Sequence, residues 1–135
     1  MADTLSPSQI TSLAKEYTQF GATINDFLNN NDVADDDLYK GLSKAAEKCA
    51  SIGMNLSIAD AKTQFADSAE AFRQLLAITT DANKEADSLK IEVAQISRAL
   101  KIAAGMLGLV TALGSGNPSN VTKALGDLHD AIWGS

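Results

Sequence analysis

Between Pro7 and Pro118 the chain runs without a proline, and through most of that length its apolar residues recur three or four positions apart. Proline is the residue that most strongly breaks a helix, so the stretch between the two is free to form long helices. Steps of three and four place apolar side chains on one face of a helix. No run shows the strict alternation of a half-buried strand. Aromatic residues make up only 5% of the chain, which points to helices meeting through small and aliphatic side chains.

The first stripe reads Ile10, Leu13, Tyr17, Phe20, Ile24, Phe27 and Leu28. Ser6 is placed to cap that helix, Pro7 suits its first position, and Gln9 completes a capping box. Gly21 weakens the helix locally but lets a neighbour approach. The polar run Asn29-Asn30-Asn31-Asp32 ends it. A second helix begins at Asp35, Asp36 and Asp37, whose carboxylates suit the positive end of a helix dipole. Its stripe is Leu38, Leu42, Ala45, Cys49, Ile52 and Leu56. Continued in phase, that stripe would reach Ala59, Thr63 and Glu70, which are poor core residues. The strong apolar positions are Ile58, Ala61, Phe65, Phe72, Leu75 and Leu76. A phase shift of this kind predicts a break near Ser57, with Ser57 and Asp60 as a capping box and a third helix running to about Ile78; one long kinked helix is the alternative. Thr79, Thr80 and Asp81 offer the next cap. The fourth stripe reads Ala82, Ala86, Leu89, Val93, Ile96, Leu100, Ala103, Leu107 and Val110. Gly114-Ser115-Gly116-Asn117-Pro118 then stops one helix and starts another, which carries Val121, Leu125, Leu128 and Ile132.

These elements predict an all-α fold, a four- to five-helix up-and-down antiparallel bundle, forming a single domain over residues 1–135. The short last helix is expected to cross one end or fill a groove. A chain of 135 residues is long enough to build a real core.

The formal net charge is −6. An acidic surface repels phosphate backbones, so no nucleic-acid partner is expected. Electrostatic docking on anionic lipid is disfavoured for the same reason, while hydrophobic insertion stays open. The single cysteine, Cys49, forms no internal disulfide and falls on an apolar stripe, where a buried thiol behaves as a small hydrophobe. Met-Ala-Asp-Thr lacks a basic region followed by an apolar stretch, the pattern of a signal peptide. The expected location is cytoplasmic, or outside the cell if a leader has been removed.

No pattern of catalytic, metal or nucleotide chemistry emerges. His129 is the lone histidine; its neighbours Asp127 and Asp130 do not face it as a relay would require. The acids Asp32, Asp35, Asp36 and Asp37 invite a calcium loop. Counting from Asn29, however, puts Val33, Ala34 and Lys40 where a ligand, a glycine and a glutamate are needed. No Glu-x-x-His occurs, as a di-metal bundle would require. The glycine-rich turn at 114–118 follows a helix and lacks the lysine of a phosphate loop. Catalytic residues, cofactors and metals are therefore not expected, nor is an enzyme.

One segment goes beyond routine. Ile102, Met106, Leu109 and Leu113 add a second apolar face beside the fourth stripe, and no charge appears between Lys101 and Lys123. The remaining positions are small: Ala104, Gly105, Gly108 and Ala112 among them. Ala104, Gly108 and Ala112, four apart, make a ridge that permits close helix contact. On that reading Gly108 meets a neighbouring helix, and Gly108→Leu would overpack it. The run 102–113 falls short of the roughly 20 apolar residues that span a bilayer. A central core helix is the expected role, with an oligomer interface or a membrane-inserting element as alternatives. The function expected is a non-enzymatic interaction module that binds another protein, or itself, through a helical face. A membrane-active, pore-forming type of protein using 102–113 is the second reading.

Overall fold

The computed structural model describes residues 3–57 and 60–134. It contains five helices: α1 (Pro7–Asn30), α2 (Asp36–Asn55), α3 (Ser68–Asp87), α4 (Val93–Gly114) and α5 (Pro118–Trp133). The chain is an all-α bundle. Helix α1 packs against α2 and α3, α2 against α4, and α4 against α5.

Local chemistry explains the ends of most helices. Ser6 Oγ accepts from the Gln9 N–H while the Gln9 side chain accepts from the Ser6 N–H, closing the expected capping box ahead of Pro7. A cap of this kind contributes about 1 kcal/mol. Asp35 caps α2 by accepting from the Leu38 N–H, and Asn117 caps α5 by accepting from the Ser119 N–H. The turn between α4 and α5 uses Gly116, at φ 78°, for its left-handed residue, the conformation a side chain disfavours.

The middle of the chain departs from the expected pattern. Ser57 and Asp60 do meet, through the Ser57 hydroxyl and N–H on the Asp60 carboxylate. Among the described residues no α-helix follows them before Ser68. Ile58 and Ala59 lie outside the described residues, and 61–67 form a strap instead of a helical turn. The strap holds because its partners are remote in sequence. Phe65 and Asp3 exchange both backbone hydrogen bonds. The Thr63 N–H and hydroxyl both donate to the Leu113 carbonyl, and Thr63 is fully buried. Thr63, a poor core residue by helical phase, is thus a fixed point of the fold. Helix α3 starts only at Ser68, capped by the Asp67 carboxylate on the Glu70 N–H. It passes straight through Thr79, whose buried hydroxyl bonds back to the Leu75 carbonyl in place of capping a new helix. The break expected at Thr79–Asp81 falls instead at Ser88–Glu92, where the Ser88 N–H and hydroxyl turn back onto the Lys84 and Glu85 carbonyls. Helices two and three are separate.

The strap also sets direction. Asp3 and Phe65 tie the start of α1 to the start of α3, and Thr63 ties the same end to the finish of α4. The five helices therefore run alternately up and down. Helix α5 lies along α4 and does not cross an end.

Two contacts fix how α1 sits on its neighbours. Against α2 the backbones nearly touch: a Cβ on Gly53 would lie 2.6 Å from the Thr18 nitrogen and 2.8 Å from the Ala14 oxygen. One on Gly21 would lie 2.7 Å from the Ala46 oxygen. Against α3, Asn83 is buried and its amide donates to the Glu16 carboxylate at 2.7 Å and to the Glu16 and Thr79 carbonyls. Its Oδ1 has no partner within the described residues.

Cys49 is fully buried on α2, on the stripe where the sequence places it. Burial pushes its thiol up to about 12, because the thiolate would be cut off from water. Native protein should therefore react slowly with a thiol reagent at pH 8 and fast once denatured; equal rates would place Cys49 at the surface. The raised pKa also has a sign for stability. The unfolded thiol ionises near 9 and the folded one near 12, so its contribution is complete below pH 9 and fades as pH rises from there towards 12.

Candidate protein-binding face

Helix α4 is the most apolar element, and the structure divides its apolar run in two. Ile102, Met106, Leu109 and Leu113 are fully buried and face the core. Of the stripe expected to lead, Ile96 and Ala103 are buried with them, while Leu100, Leu107 and Val110 are only half-buried. The core face of α4 is thus the second apolar face of the sequence together with Ile96 and Ala103 of the first. Tyr17, buried on α1, donates its hydroxyl to the Met106 carbonyl on that side of α4. Burial in turn raises the Tyr17 pKa well above that of a free phenol, with the nearby Cys49 adding to it.

The small residues take the other side. Ala104 and Gly108 are exposed, Gly105 is half-buried, and Ala112 is buried at the edge. Their roles are not those the ridge pattern suggested. The close approach is at Gly105, where a Cβ would stand 3.2 Å from the Leu128 Cα on α5. At Gly108 a Cβ would meet nothing within 4 Å. The expectation that Gly108 touches a neighbouring helix is thus overturned: it opens outward, because the 3.6-residue turn carries it off the α5 contact that Gly105 occupies.

Between the outer faces of α4 and α5 lies an open groove of about 1250 Å³. Its floor is Ala104, Gly105, Gly108 and Ala112 from α4 with Ala124 and Ala131 from α5. Charged side chains rim it: Arg98 and Lys101 from α4, and Lys123, Asp127 and Asp130 from α5. Arg98 is held in place, 3.3 Å from the Glu85 carboxylate, with its Nε donating to the Ala131 carbonyl. Trp133 closes the end near the start of α4, half-exposed and packed on the His129 ring at a centroid distance of 4.6 Å.

The α4 half of the floor is legible in the sequence; the α5 half, the rim and Trp133 are not, because the groove exists only once α5 is laid beside α4. A signal was present in α5: Lys123, Asp127 and Asp130 are spaced four and three apart and share a face with Ala124 and Ala131. His129 lies on the surface, as expected. Chemically the groove offers backbone-level access, small apolar residues interspersed with the hydroxyls of Ser97, Thr111 and Ser115, and charges of both signs. Among the described residues no three potential metal ligands converge anywhere. Helix α4 as a whole also differs from the short run 102–113: over Val93–Gly114 it is long and apolar enough to cross a membrane, with 44% of its most apolar window buried in the bundle.

No protein-family model matches the chain, and neither a characterised protein nor a solved structure does.

Proposed function

We propose that this protein is a non-enzymatic interaction module that binds another protein through the α4–α5 face. The observation that carries the reading is the groove whose floor is open at Gly108. A helix laid there would meet backbone and methyl groups with no side chain in the way, the geometry that allows close helix packing. Such a partner would gain apolar contact along the floor and orientation from the charged rim, with Trp133 as an aromatic anchor at one end.

Gly108→Leu tests this directly. It fills the groove with a side chain at a position where nothing is packed, so the fold should be kept. Gly126, equally open but outside the groove, supplies the control. With wild type, Gly108→Leu and Gly126→Leu as bait in extracts of the source organism, a partner should be retained by the first and third and lost from the second. The same proteins retained on all three baits would remove the groove from the interaction.

The membrane-active reading is favoured by one observation, the length and hydropathy of α4. Against it stands the loss of the bundle core: withdrawing Ile102, Met106, Leu109 and Leu113 would expose to water the apolar faces of the other helices that they cover. Dye release from liposomes separates the two readings. The interaction module leaves vesicles intact at neutral and acidic pH, and release by the wild-type protein would favour membrane activity.

A further inference from the structure

We infer that the α4–α5 groove binds a second copy of this chain, forming a two-fold dimer in which Lys101 of each copy faces Asp130 of the other. This rests on reading the face as protein-binding and adds a second copy of the chain as one occupant of it.

Charge placement in the groove carries this inference. Gly105 meets Leu128, which fixes the level of α4 against α5. From that contact Lys101 lies four residues back along α4, and Asp130 two residues on along α5. The two helices are antiparallel, so both offsets lead towards the same end of the groove, and the two charges sit within about one helical turn of the same height. At that end of the groove they stand on opposite walls: the cations Arg98 and Lys101 on α4, the carboxylates Asp127 and Asp130 on α5, with the cation Lys123 about two turns from Asp130 along α5. A two-fold axis along the groove keeps height and exchanges walls. It lays α5 of the second copy over α4 of the first, so that each Lys101 meets an Asp130 twice over. Symmetric interfaces need this property, that residue i contacts j while j contacts i. Among the described residues Lys101 and Asp127 form no ion pair within the chain, and Asp130 has only His129, its neighbour in sequence, at 3.9 Å. The same operation covers Ala104 and Gly108 with the small-residue side of α5. A face of uniform charge would repel its own copy; this one, in a chain of net charge −6, carries both signs in self-matching positions.

The test is a mixing experiment, read as mass in sedimentation equilibrium over a concentration series. Wild type should approach twice the 14.1 kDa chain mass. Lys101→Glu sets like charges against each other in its own dimer, and so does Asp130→Lys; each should associate roughly tenfold more weakly or worse. Both positions are exposed, and thermal melting confirms that the two variants fold. Mixed one to one, the two variants restore opposite charges at both contacts, and the dimer should return. Contacts within one copy cannot produce that recovery. A wild type that stays monomeric at every concentration overturns the proposal, as do single variants that dimerise like wild type or a mixture that remains monomeric. The capture experiment with Gly108→Leu is scored on a different partner, so it can succeed where self-association fails, and the two readings fall separately.

Discussion

Gly53→Leu should lower the melting temperature by about 10 °C or more, or prevent folding outright. Its first added carbon would stand 2.6 Å from the Thr18 nitrogen and 2.8 Å from the Ala14 oxygen. Those are backbone atoms of α1, so no side chain can rotate away. Relief requires separating α1 from α2, the most extensive helix pair in the fold. Overpacking of a core contact costs about 1–3 kcal/mol, occasionally more, and contact with a backbone places this case at the upper end. For a chain of this size, 3 kcal/mol corresponds to roughly 10 °C. Gly21→Leu, against the Ala46 oxygen at 2.7 Å, should behave alike. Thermal melting followed by circular dichroism gives the answer, with Gly126→Leu as the comparison. A Gly53→Leu protein that melts with wild type would mean that α1 and α2 do not cross where the structure places them.

Met106→Asp should abolish the fold, while Ala104→Asp, two residues away on the same helix, should be tolerated. Met106 is completely buried and its carbonyl is already engaged by Tyr17. A carboxylate there has no cation to pair with among the core residues. Burying an unpaired charge is among the few single changes that cost 4 kcal/mol or more. Ala104 is exposed on the groove floor, where a surface change stays within about 0.5 kcal/mol. The contrast separates the two halves of the apolar run by their jobs. Equal tolerance at both positions would mean that 102–113 is a surface helix throughout; equal collapse would bury the groove floor.

Much of the bundle was legible in the sequence because its signals are local. Ser6-Pro7 with Gln9, Asp35, and Asn117-Pro118 each define a helix start within four residues, and each is found in place. The bounds of α3 were not legible, for two physical reasons. The break at Ser88–Glu92 contains neither glycine nor proline, and Leu89, Val93 and Ile96 keep helical spacing across it. The 61–67 strap is held by Asp3 and Leu113, about fifty residues or more away in sequence, and no local pattern announces such partners. The candidate site divides along the same line. The α4 half of its floor is visible as a run of small residues. Which glycine touches a neighbour depends on how α5 lies beside α4, and periodicity places Gly105 and Gly108 on α4 without saying which of them Leu128 meets.

On this reading the open side of α4 is covered by protein when the molecule works. A photoreactive phenylalanine analogue at position 108 tests it most directly, with the same residue at position 126 as control. On irradiation in cells of the source organism, position 108 should yield a covalent product whose added mass is a second copy of the chain or another protein, and position 126 should yield none. Products that form equally from both positions, or lipid attached at 108 with no protein product, would contradict the account.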